Sequence, residues 1–204
     1  MFGDAVLSAQ GGWRLFRRDP DGFRYFSLTQ KNFWLSFVTI LPVILLGEFL
    51  FLTLDLFVGR SGEEIGTPVI NLIFDGAIAM ALFALTMVPL SEKLGRPEGY
   101  VSFIIAWHWT GLVVSLIFQA LIFLYAVMSA LDVEILKFAL FLTLLGFFAY
   151  QAMVGVFIAR QTLHVEPLIG FSIVAIAFGI AIVTTMVLHE IMGVVTSTIH
   201  NRPL

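Results

Sequence analysis

Long apolar runs separated by brief polar punctuation organise this chain. Between Glu98 and Asp132 thirty-three consecutive residues contain no Asp, Glu, Lys or Arg, and positions 138–159 and 167–188 are equally uncharged. A helix rises ~1.5 Å per residue and needs about 20 apolar residues to cross ~30 Å of hydrocarbon, so each run is long enough to span a bilayer. A soluble core helix would alternate an apolar stripe with a polar face instead. The pattern predicts five spanning helices at about 33–58, 69–90, 101–129, 133–158 and 167–192. The breaks fall at Gly59 to Thr67, at Ser91 to Gly99 with Pro97, at a short turn around Asp132, and at His164 to Pro167. The expected fold is all-α: an integral membrane bundle of five transmembrane helices over 33–192, a tail at 193–204, and an amphipathic, interfacial amino-terminal segment over 1–32.

That first segment mixes Val6, Leu7, Trp13, Leu15 and Phe16 with Arg14, Arg17, Arg18 and Arg24. Such a mixture suits a stretch lying among lipid headgroups with its cations on anionic lipid. It has no short hydrophobic core with a small-residue cleavage site ahead of the arginines, so it reads as retained rather than as a cleaved signal. Asp19-Pro20-Asp21-Gly22 predicts a turn, and Phe23, Tyr25, Phe26, Phe33 and Trp34 predict an aromatic approach to the membrane. Trp107 and Trp109 are expected to mark the interface in the third span.

Composition agrees with the periodicity. Of 204 residues 59% are hydrophobic and only 12% charged, about half the charge of a soluble domain. A net charge of −3 with short loops offers nothing to nucleic acid. The absence of Cys removes disulfides, thiolate nucleophiles and Cys-ligated metals. Lys and Arg in alternate loops divide eight against three in favour of the amino-terminal side, which predicts a cytoplasmic amino terminus and, with five spans, a periplasmic carboxyl terminus in a bacterial inner membrane.

Ionisable groups inside spans cost several kcal/mol unless they face water, the bundle interior or a partner, so they are the first candidates for function. Here they are Glu48, Asp55, Asp75 and Lys137. Glu48 and Asp55 are seven apart on one face of the first span, and Pro42 could kink that span near Glu48. One reading makes Glu48 with Asp55 or Asp75 a proton or cation relay with Lys137 as counter-ion. In the other, Lys137 neutralises an aspartate, the rest snorkel to the interface, and Glu48 is protonated or hydrogen-bonded between helices. His108, Ser115 and Gln119 share a stripe of the third span and could line a polar path or bond a neighbouring helix. The four histidines show no i, i+4 ligand spacing, and His189-Glu190 lacks the second histidine of a zinc protease helix. Small residues at fourfold spacing, including Gly155-xxx-Ala159 and Ala175-xxx-Gly179, allow close helix approach. No phosphate loop, nucleotide signature, cofactor motif or internal repeat is evident.

Trp13 to Phe37 with Asp19-Pro20 and Phe33-Trp34, followed by Leu94-Gly95-Arg96 to Trp109, resembles uncharacterised multi-span membrane proteins of alphaproteobacteria. The five-span layout with a cytoplasmic amino end is similar to the Yip1 domain. The Asp-Leu-Tyr-Gly-Pro signature of eukaryotic Yip1 proteins is missing, so the resemblance carries over architecture and no binding residues. The expected function is a non-enzymatic inner-membrane scaffold, accessory subunit or lipid-organising factor, with anionic headgroups on Arg14, Arg17, Arg18 and Arg24 and a membrane protein or second copy as partner. The alternative is a small transporter or channel component using the intramembrane carboxylates.

Overall fold

The structure, a computed structural model, describes residues 2–58 and 68–200, with side-chain surroundings for 3–50, 52–54, 76–188 and 190. The described elements are α1 (Phe2–Phe16), a 3-10 turn at Pro20–Tyr25, α2 (Gln30–Phe37), α3 (Ile40–Val58), α4 (Pro68–Lys93), a second 3-10 turn at Pro97–Gly99, α5 (Tyr100–Ala130), α6 (Glu134–Leu163) and α7 (Pro167–His200). Five stretches are long and apolar enough to cross a membrane: Gln30–Leu54, Gly76–Lys93, Pro97–Ala130, Glu134–Leu163 and Pro167–Leu188. They overlap the five predicted spans, with ends that differ from the expectation by up to seven residues.

The first span is the exception, because it is two helices rather than one. Pro42 stands in the first turn of α3, where its missing N–H is tolerated. In an unbroken helix that N–H would have bonded the Val38 carbonyl. Leu41 N–H takes the carbonyl instead at 3.1 Å, and the chain turns at Val38 and Thr39. The expected kink near Glu48 therefore lies some ten residues earlier. The Thr39 hydroxyl donates to the Ser36 carbonyl at 2.7 Å and closes the end of α2.

The amino-terminal segment is folded against the helices of the bundle. Its first part is a regular helix with Asp4 in the first turn and Arg14 in the last, charges that complement the helix dipole. The helix ends with Asp19 N–H bonding the Arg14 carbonyl at 3.0 Å and Arg18 N–H bonding the Leu15 carbonyl at 2.8 Å. This closure requires a left-handed residue, here Arg18 at φ 59°. Asp19 then accepts from Asp21 N–H and opens the 3-10 turn, so the predicted turn is present. Gly11 and Gly22 allow that turn to fold back on α1, since a Cβ on Gly22 would lie 2.8 Å from the Gly11 carbonyl oxygen. Gly12 lies against the Trp109 carbonyl of α5, with no room for a side chain. Farther along, the Tyr150 hydroxyl of α6 donates to the Phe16 carbonyl at 2.6 Å.

Burial is concentrated at one end of the bundle. The buried cluster takes Leu15 and Phe26 from the amino-terminal segment, Phe83 and Met87 from the end of α4, Phe103 to Ala106 and Trp109 from the start of α5, and Val154, Ile158 and Leu163 from the end of α6. Successive spans alternate in direction, so all these stretches meet at the end that carries the amino terminus. Toward the other end Leu45, Phe49, Phe138, Leu142, Ile182 and Met186 are exposed. In hydrocarbon there is no hydrophobic gain in burying apolar side chains against one another, so exposure of this kind is the expected surface of a membrane-embedded half. Trp107 and Trp109 belong to the packed end: Trp107 packs on Phe83 with centroids 4.9 Å apart, and Trp109 is buried.

Candidate functional site

The break between α2 and α3 faces the most polar part of the interior. Asn32 and Ser36 are one turn apart on α2, and both are buried. The Ser36 hydroxyl donates to the Phe33 carbonyl at 2.7 Å, and its oxygen lies 2.9 Å from Nδ1 of His108 on α5. Phe37 packs edge-on against the same imidazole with centroids 4.5 Å apart. His108 is 3% exposed. Its Nε2, the Asn32 Oδ1, the Ser8 Oγ of α1 and the Thr110 Oγ1 are buried without a hydrogen-bond partner among the described residues.

The third-span stripe is used as interhelical bonding. His108 reaches α2, and eleven residues on the Gln119 amide donates to the Val43 carbonyl of α3 at 2.7 Å. Gly47 makes room for that amide, because a Cβ there would stand 2.9 Å from its nitrogen. Beside it is an apolar cavity of about 80 Å³ lined by Leu50 and Leu54 of α3 and Ile122, Phe123 and Ala126 of α5. Thus the stripe faces the first span at two levels. Among the described residues no bond from Ser115 joins them.

Of the expected carboxylate relay, only Glu48 and Lys137 have side chains among the described residues. Lys137 is bonded to Glu134 in its own first turn and lies 3.5 Å from Asp132, so its partners among the described residues are local to the α5–α6 turn. Glu48 is half-buried on α3 and has no hydrogen bond or ion pair among the described residues. Asp55 and Asp75 lie on α3 and α4, with side chains outside the described residues, as is that of His189. Among the described residues no three His, Asp or Glu converge as a metal site.

The arginines divide into two groups. Arg14 pairs with Asp19 at 3.3 Å and lies over the Tyr25 ring at 5.0 Å, while Arg24 pairs with Asp21 at 3.3 Å. Arg18 lies 5.6 Å from the Tyr150 ring centroid, and Arg17 is exposed. Lys31 holds Asp4 at 2.7 Å, tying the start of α2 to the start of α1. The hydrogen bond from Lys31, and then its charge, hold the Asp4 carboxyl below the usual carboxylate range. An open groove of about 490 Å³ runs along α1, bounded by Val6, Gln10, Trp13, Arg14 and Tyr25. Sequence reasoning missed Ser8, Gly11, Gly12, Asn32, Ser36 and Tyr150. Two signals were available: two glycines inside a helix, which cost stability unless packing needs them, and Asn32-xxx-Ser36 on one face of an otherwise aromatic helix.

Five apolar spans, a polar seam where the first is interrupted and a basic cap at one end define a multi-pass α-helical membrane protein. Compared with family models, curated proteins and solved structures, the chain matches none.

Proposed function

We propose that this chain is a non-enzymatic scaffold or accessory subunit of a bacterial inner membrane, with its amino-terminal cap on the cytoplasmic side and in contact with anionic lipid headgroups. The supporting observation is that α1 is docked on α5 and α6 as a fixed surface, with Val6, Leu7 and Trp13 exposed beside basic side chains. Three of the five cations in residues 1–32 pair with Asp4, Asp19 and Asp21. That leaves Arg17 and Arg18 without a carboxylate partner among the described residues, and the cap with a net attraction for anionic lipid.

Retention of anionic lipid by the purified protein tests this. Each cation near a charged membrane surface contributes about 1 kcal/mol, roughly fivefold in binding. Arg17→Glu with Arg18→Glu should lower retention by more than tenfold at low salt, and added salt should do the same to the parent protein. Retention that ignores both changes would remove the lipid role.

A second reading, a small transporter or channel component, draws on the interruption at Val38 and Thr39. Transporters commonly form their sites where spanning helices are discontinuous. Glu48, about two turns past that interruption, is its ionisable group. Flux with a pH dependence unchanged by Glu48→Gln would count against it.

A further inference from the structure

We infer that the junction of α1, α2 and α5 is an internal hydration site in which water donates a hydrogen bond to Nε2 of His108. The argument begins with the single proton of the Ser36 hydroxyl. Two acceptors compete for it, the Phe33 carbonyl at 2.7 Å and Nδ1 of His108 at 2.9 Å; we assign it to the shorter contact, the Phe33 carbonyl, which makes the Ser36 oxygen an acceptor toward Nδ1. Nδ1 therefore carries the ring proton. An imidazolium at this place would bury a charge with no ion-pair partner among the described residues, which is far more costly than a neutral ring. In the neutral ring with Nδ1–H, Nε2 is a bare acceptor.

A buried acceptor without a donor costs about 1–3 kcal/mol, and Nε2 is not alone. Asn32 Oδ1, Ser8 Oγ and Thr110 Oγ1 are also buried with unmet hydrogen-bonding capacity. Asn32 and Ser8 belong to α2 and α1, the two helices packed on the start of α5 beside His108, whereas Thr110, two residues past His108, lies about 200° away around α5. Asn32 is one turn before Ser36 on the same face of α2, Ser8 is one turn before Gly12 on the same face of α1, and Gly12 backs onto Trp109 and Thr110. Water, with two donors and two acceptors, is the ligand that meets a bare ring nitrogen and mixed hydroxyl and amide oxygens together, and internal waters make two to four such bonds.

The test is nitrogen NMR of the full chain, labelled with ¹⁵N-histidine, in lipid discs. The His108 signals are assigned by their loss in His108→Gln. Nδ1 should be protonated and Nε2 unprotonated, the Nε2 resonance should lie upfield of a bare imidazole nitrogen, and magnetisation should transfer from water to the ring. A protonated Nε2 would overturn the tautomer and the site with it. A bare Nε2 shift without water transfer would overturn the hydration. Ser36→Ala removes the acceptor that fixes Nδ1–H, so both tautomers should then appear; an unchanged tautomer would show that Ser36 does not set it.

Discussion

Gly12 decides how closely α1 can lie on α5, because its missing side chain is what lets two helix backbones touch at Trp109. Gly12→Ala should cost about 1–3 kcal/mol through overpacking against backbone that cannot move aside, whereas Gly3→Ala, with nothing within 4 Å of the added carbon, should be neutral. Thermal unfolding in detergent, with protease cleavage of the amino terminus as a second readout, compares them. Tyr150→Phe should cost about 1 kcal/mol in the same assay by deleting its bond to the Phe16 carbonyl. Acid acts on this docking through Asp4. Its carboxyl titrates lower in the folded protein than the ordinary 3.8, chiefly through Lys31, so its contribution is present above the unfolded value and is lost as pH falls through the lowered one. Protease protection of α1 should therefore weaken below about pH 4, and Asp4→Asn should remove that part of the pH response. At this scale the sequence was half legible. Arg14, Arg17, Arg18 and Arg24 were visible as a basic segment, but their division into paired and unpaired cations depends on where the turn at Pro20 brings Asp19 and Asp21.

Helices were easier to read than their partners. The apolar runs placed the starts of α4 to α7 to within one residue and their ends to within eight, since length and apolarity alone decide what can span a bilayer. The interruption after Phe37 was not legible as such. Pro42 pointed to a disturbance, but which carbonyl loses its donor and how the chain responds depend on Ser36 and Thr39 capping the end of α2. Small-residue spacing carried information only where a neighbour arrived. Gly155 is filled from both sides, with a Cβ there 2.7 Å from Val174 and 3.1 Å from Trp107, while Gly179 has nothing within 4 Å. Gly155→Leu should disrupt the packing of α6 on α5 and α7, and Gly179→Leu should be tolerated within the single chain. Melting temperature separates the two, and a loss of oligomer with Gly179→Leu alone would identify α7 as the face toward another copy.

For the whole molecule, sequence gave the number of spans and their alternation, and the distribution of burial adds that one end is packed like a soluble core. An aromatic at a helix end suits both a lipid interface and a protein interior, and the packing of Trp107 on Phe83 and of Trp109 under α1 depends on how the helices meet. Because the chain has no Cys, single cysteines can report topology without background. Replacements at Gly95 and Ser27 should label from the amino-terminal side of the membrane and one at Asp132 from the opposite side; labelling of all three from one side would refute the alternation. The bond between Tyr150 and Phe16 joins residues 134 apart in sequence, which has a consequence for biosynthesis. A ribosome delivers α1 first, yet the surfaces it rests on are finished only after α5 and α6 have emerged. Until α5 emerges, a nascent α1 can rest only on the turn folded back on it and on the start of α2, and the completion of α6 sets the earliest moment at which the Tyr150 bond can close the amino terminus onto the bundle.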